Sequence, residues 1–125
     1  MMRIKITEIE ADAKGLRESQ TLSMSEKIKV IIKRPDEPVG HMTWISNSLK
    51  ALQTHVEGYI ETVMVTPNMT IICNEEGRIL GLPYNCRLCG IDFVGTIIIA
   101  GVDGENLTDV PISFETYKKL LLEVE

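Results

Sequence analysis

No apolar run in this chain approaches the ~20 residues of a membrane span. The longest, Val94 to Val102, is nine residues and contains two glycines. A basic excess is also missing: 13 Lys and Arg stand against 18 Asp and Glu, a net charge of −5. A nucleic-acid polymer is therefore not an expected partner, because phosphate contacts need a basic face. The acidity is also too mild for a DNA mimic. The start, MMRIKITEIE, alternates charge with isoleucine and does not read as a signal peptide. Cysteine is sparse and odd in number: Cys73, Cys86 and Cys89. Without a leader, that count fits a reducing cytoplasm. No P-loop, dinucleotide glycine fingerprint or G-x-S-x-G elbow occurs.

What remains is an ordinary globular composition over 125 residues, 44% hydrophobic and 25% charged. That is one domain's length of chain. Residues 3–9 (RIKITEI) place Ile4 and Ile6 on one face of a first strand, and residues 11–25 read as a weak helix. Residues 1–26 are thus read as an appendage on a core of 27–125. Residues 27–34 (KIKVIIKR) form the clearest strand, ended by Pro35. A Pro-rich loop follows, with His41 in it, and Thr43-Trp44-Ile45 adds a short strand. Ser46, Asn47 and Ser48 offer N-caps for a helix on Leu49, Leu52 and Val56, with Gly58 as its stop.

Residues 59–73 read as a hairpin turning at Pro67-Asn68, with Arg78 to Leu80 pairing briefly afterwards. Gly81 to Gly90 reads as irregular. Phe93 to Ala100 reads as one central strand buried on both faces. Ser113 caps a final helix, with Ile112 and Tyr117 as its hydrophobic staple. The expected fold is α+β: a mixed or mostly antiparallel sheet of four to six strands, with two principal helices on one face.

Chemistry-bearing residues are few. Between Lys50 and Lys118 the only cations are Arg78 and Arg87, against nine acids. An isolated arginine either pairs with a carboxylate or grips an anionic ligand. Cys86-Arg-Leu-Cys89 has zinc-knuckle spacing, with Cys73 as a third ligand and His41 or His55 as a fourth, but no second CxxC or HxxxH exists. Free thiols and a redox pair are the other readings. Glu75 and Glu76 are adjacent, so on a strand they face apart and make a poor acid–base pair. His55 reads as a surface or capping group. Leu82 to Asp92 is the most unusual stretch. Tyr84 offers a stacking face, Asn85 an amide, and Arg87 a phosphate grip. The competing reading is a structural loop with Arg87 paired to Asp92.

Several stretches together carry a resemblance. They are Ser48-Leu-Lys-Ala-Leu52, Gly58-Tyr-Ile-Glu61, Ile72-Cys-Asn-Glu-Glu-Gly77, Gly81-Leu-Pro-x-Asn85 and Val94-Gly-Thr-Ile97. The chain resembles, over residues 27–123, a small family of domains of unknown function (3846 type), common in phages and mobile elements of Gram-positive bacteria. That family usually carries Asn-Arg-Arg where this chain has Asn85-Cys86-Arg87. It brings no catalytic residues to carry over. The resemblance implies a host-directed role inside the bacterial cytoplasm, of an anti-defence kind.

The expected function is a non-catalytic binding protein that sequesters a small anionic, nucleotide-like ligand. Its site is expected at Arg87, Arg78, Tyr84 and Asn85, with Trp44 as a further stacking face. It is expected to be a homo-oligomer, with no cofactor and no catalytic residue. The alternative is a module that inhibits a host protein through Trp44 and the basic face of residues 27–34. A small hydrolase is a third reading.

Overall fold

The computed structural model describes residues 26–122. The expected strand at 3–9 and helix at 11–25 lie outside the described residues. From Lys27 onward the apolar alternation sets the architecture. Ile28, Val30 and Ile32 of strand β1 (Lys27–Lys33) point to one face, and Ile31 to the other. β1 pairs with β2 (His41–Ser46), and helix α1 (Leu49–Val56) follows. β3 (Ile60–Thr66) and β4 (Met69–Asn74) form the expected hairpin. The short helix α2 (Gly77–Leu80) leads to a second hairpin, β5 (Tyr84–Leu88) and β6 (Ile91–Val94). β7 (Ile97–Asp103), β8 (Asn106–Thr108) and α3 (Phe114–Leu122) complete the chain.

The main sheet runs β2-β1-β7-β4-β3, with β8 also on β7. Every strand pair among the described residues is antiparallel. β7 is the hub. Its first half pairs with β1, its second half with β8, and its other side with β4. It sends Ile98, Ala100 and Val102 into one core and Ile97 and Ile99 into the other. Gly101 has no room for a side chain, because a Cβ there would press on the Asp109 carbonyl where the chain crosses.

Two apolar faces need two covers. Leu52 and Val56 of α1 pack on the first face. Tyr117 and Leu121 of α3 pack on the second, beside Cys86, Leu88 and Phe93 of the β5–β6 hairpin. The two principal helices therefore lie on opposite faces, not on one. A single-sided arrangement would leave one row of isoleucines in water.

Other local expectations shift for local reasons. Arg78 to Leu80 is a helical turn closed by Leu80 N–H donating to the Glu76 carbonyl, not a strand. Gly81 to Gly90 is not irregular: it contains β5. Its turn residues Cys89 (φ 53°) and Gly90 (φ 80°) both take the left-handed region, as a two-residue hairpin requires. Gly95 (φ 75°) breaks the expected Phe93–Ala100 run into β6 and β7. Trp44 sits within β2, opposite Lys29, where the short strand at Thr43–Ile45 is expected, and that strand extends back to His41. α1 stops at Glu57 (φ 64°), one residue before the expected Gly58. Gly58 instead makes room for a side chain, since a Cβ there would lie 2.6 Å from Asn74 Nδ2. That amide donates to the carbonyls of Val56 and Glu57, tying the helix end to β4. The expected caps are present at Ser48 and Ser113, whose hydroxyls accept from Ala51 and Thr116 N–H.

The β1–β2 loop is fastened by charge. Glu37 accepts from Arg34 N–H at 2.8 Å and lies 2.9 Å from His41 Nδ1. Burial works to raise the Glu37 pKa. The Arg34 N–H, the His41 ring and the nearby charges outweigh it and hold the carboxyl below its ordinary value. His55, on α1, is lowered by burial, then by the charges of Arg34 and His41.

Leu52→Ala should destabilise the fold by about 2–5 kcal/mol, as for other fully buried leucines, read by urea denaturation. The lowered pKa values of His55 and Glu37 both favour the deprotonated form in the folded state. Their contributions are present above the ordinary His and Glu values and lost as pH falls through the folded ones. The urea midpoint should therefore decline from pH 7 to pH 4.

Candidate functional site

The β5–β6 hairpin lies on the α3 side of the sheet, and its register makes the candidate site. Tyr84 pairs with Val94, but Cys86 pairs with Phe93, so Asn85 is an extra residue in β5. In an unbroken strand, Tyr84 and Arg87 would face opposite ways, being three residues apart. The bulge resets the alternation. Asn85 and Cys86 both turn inward, and Tyr84 and Arg87 both turn outward.

Both outward groups meet one carboxylate. Tyr84 Oη donates to Asp92 Oδ1 at 3.0 Å, and Arg87 Nη1 donates to Asp92 Oδ2 at 2.9 Å. Arg78 reaches over from α2 and donates to the Asp92 main-chain carbonyl at 2.7 Å. Three of the five expected ligand residues thus converge on Asp92. Tyr84 remains 57% exposed, so its ring face is available. Desolvation, then the hydrogen bond and charge of Asp92, raise its phenol above the ordinary value. It is a neutral donor at physiological pH.

Asn85 does not present itself to a ligand. It is 8% exposed and its amide is committed inward. Nδ2 donates to the carbonyls of Lys33 and Gly95, each at 2.8 Å, and Oδ1 accepts from Lys33 Nζ at 2.7 Å. Lys33 is itself only 3% exposed. The expected basic face of residues 27–34 is therefore broken: Lys33 is in the core, and Lys29 lies over the Trp44 ring at 5.6 Å. Trp44, 55% exposed, stands on β2. From there to β4 and β3 is three to four strand spacings, roughly 14–19 Å. Trp44 does not join the cluster.

A groove of about 230 Å³ opens beside the cluster. Glu61 and Val63 of β3 and Cys73 of β4 form its floor. Gly77, Arg78 and Ile79 of α2, and Ile91 to Val94 of β6, form its walls. Gly77 is required there, because a Cβ would lie 2.9 Å from Val94 Cγ2. Asp92 and Arg78 belong to both groove and cluster.

The three thiols are free. Burial and then Glu61 push Cys73 up to about 11, against the pull of Arg78. Burial also raises Cys86 and Cys89. None is an activated nucleophile. Cys86 faces the core and Cys89 makes the hairpin turn, so their C-x-x-C spacing is hairpin geometry. Among the described residues no three His, Cys, Asp or Glu side chains gather as a metal site. No helix among them is long and apolar enough to cross a membrane.

A family model described as a domain of unknown function, DUF3846, matches residues 28–122. The chain belongs to the DUF3846 family. No curated protein and no solved structure matches it. The motif residues of this DUF3846 chain have visible structural roles. Asn74 holds the end of α1. Gly77 admits β6. Asn85 and Gly95 dock the hairpin on the sheet. In the sequence Asp92, the centre of the cluster, stands out as a partner for an arginine. The bulge that gathers its donors leaves no mark in the hydrophobic pattern.

Asn85→Ala should leave the Lys33 amine without its partner and remove the amide bonds to the Lys33 and Gly95 carbonyls, costing at least about 1–3 kcal/mol. Asn85→Asp should not restore stability, since its carboxylate cannot donate to the Lys33 and Gly95 carbonyls. Urea denaturation of both variants checks this.

Proposed function

We propose that this domain binds and sequesters a small anionic, nucleotide-like ligand without turning it over. One observation carries the reading: the Asn85 bulge places Tyr84 and Arg87 on one face, where both hold Asp92 beside Arg78. Two guanidinium groups stand against the one carboxylate of Asp92, at the rim of a groove that Glu61 and Glu75 also line. Each arginine has five N–H donors and uses few of them on Asp92. A phosphate would take the remaining donors, with a planar ring over Tyr84. The groove is smaller than the ~300–1,000 Å³ of drug-sized pockets, so it encloses part of a ligand. A homo-oligomer would close the rest.

Sequestration needs affinity and abundance rather than catalysis. The Cys73 thiol on the groove floor is held protonated, which suits a binding role better than a nucleophilic one. In a phage or mobile element, within the bacterial cytoplasm, such a protein would remove a signal used by a host defence.

A second reading is an inhibitor of a host protein. Ile79 and Ile91 line the groove and are exposed, and Leu80 is exposed next to Ile79. Apolar side chains at a groove rim suit a protein partner.

Native mass spectrometry of the protein purified from cells tests both. The first reading expects a few hundred daltons retained per site. Arg87→Ala should lower affinity by roughly tenfold or more, the loss of a charge-assisted hydrogen bond of about 1.5–3 kcal/mol. Tyr84→Phe should retain binding and Tyr84→Ala lose it. Retention unchanged in Arg87→Ala would sink the assignment. A stoichiometric host protein, lost in Ile79→Asp but kept in Arg87→Ala, would favour the second reading.

A further inference from the structure

The two outer edges of the sheet are built differently. β3 carries Glu61, shifts register between Met64 and Thr66, and is followed at once by Pro67. A charge, a bulge and a proline are devices that stop an edge from recruiting another strand. β2 has none of them. Its sequence, His-Met-Thr-Trp-Ile-Ser, contains no Lys, Arg, Asp, Glu or Pro. It pairs with β1 over six positions without a break, and among the described residues no strand lies on its other side. Met42 and the exposed Trp44 share one face of this unbroken edge, and His41 at its end is its one titratable side chain.

The chain carries a segment suited to that edge. Residues 3–9 (RIKITEI) alternate, with Ile4 and Ile6 on one side and Arg3, Lys5 and Thr7 on the other. The point of entry also fits. The Glu26 carbonyl accepts from the N–H of Asn47, the residue just beyond β2. The chain therefore enters β1 beside one end of the open edge. A place outside β2 lies two strand spacings from Glu26, about 10 Å. Residues 10–25 can span several times that at ~3.3 Å each. Tethering gives the segment an effective concentration of the order of millimolar, which favours it over a second copy.

We propose that residues 3–9 pair with the open edge of β2 as a further strand, with Ile4 and Ile6 covering Met42 and Trp44. This edge shares no residue with the arginine cluster, so the pairing does not depend on the ligand site.

Trp44 is the only tryptophan in the chain, so the full-length protein reports on its own edge. The expected result is blue-shifted emission and weak acrylamide quenching, both independent of protein concentration. The double variant Ile4→Asp/Ile6→Asp should shift emission to the red and strengthen quenching. Lys5→Pro, which keeps both isoleucines but disrupts pairing, should do the same. Amide exchange at residues 42–45 should accelerate in step. A wild-type Trp44 already open to acrylamide, and unaffected by these variants, would overturn the proposal. Protection that grows with protein concentration and ignores Ile4 and Ile6 would also overturn it, and would identify a second copy as the cover.

Discussion

The pairing of β7 on both its sides is the constraint on which the rest of the fold depends. β1 and β8 share one side of it, and β4 takes the other. Its side chains serve two cores at once. An isoleucine-rich strand of this kind is apolar on both faces, and with only one face covered half its apolar surface would meet water. Once β7 is central, both sheet faces must be covered. That requirement separates α1 from α3 and brings the β5–β6 hairpin down beside α3. Gly101 completes the constraint, since only glycine lets the Asp109 backbone cross β7.

The hairpin is then held by polar groups more than by area. The Lys33 amine, buried against the sheet, is a costly group unless it is bonded. Asn85 bonds it, and reaches the Lys33 and Gly95 carbonyls with the same amide. To do so Asn85 must turn inward next to Cys86, and that doubling is the bulge. The structural demand inside the protein therefore fixes what is displayed outside it. Tyr84 and Arg87 share a face because Asn85 and Cys86 do. The candidate binding cluster is a consequence of how Lys33 is satisfied.

Regular alternation makes much of this fold legible in the sequence. β1, the β3–β4 hairpin, α1 and α3 follow from periodicity and from the caps at Ser48 and Ser113. The elements that periodicity misses depend on single backbone angles. Gly95 divides one apolar run into two strands, and the left-handed pair Cys89-Gly90 turns an apparently irregular loop into a hairpin. An apolar run looks the same whether or not it bends. The placement of the helices on opposite faces is equally hidden, because it depends on strand order. At the site, Arg78, Arg87 and Tyr84 stand out as isolated polar groups in an acidic, apolar stretch. Their convergence on Asp92 depends on the bulge, and the burial of Asn85 on a lysine 52 positions away in sequence.

Trp44 and the arginines, alike in looking functional, belong to different questions. Trp44 belongs to an edge whose backbone donors and acceptors are the interacting groups, and whose apolar face needs a cover. Arg78 and Arg87 belong to a charged cluster beside β3 and β4, three to four strand spacings away. β1, β7 and β4 lie between them as a hydrogen-bonded, close-packed layer. Changes at exposed positions on either side have no shared partner, and such changes act nearly independently. The edge and the cluster can each be altered while the other serves as a control for correct folding. A small acidic domain thus presents two separable surfaces, each set by a specific polar requirement of the sheet.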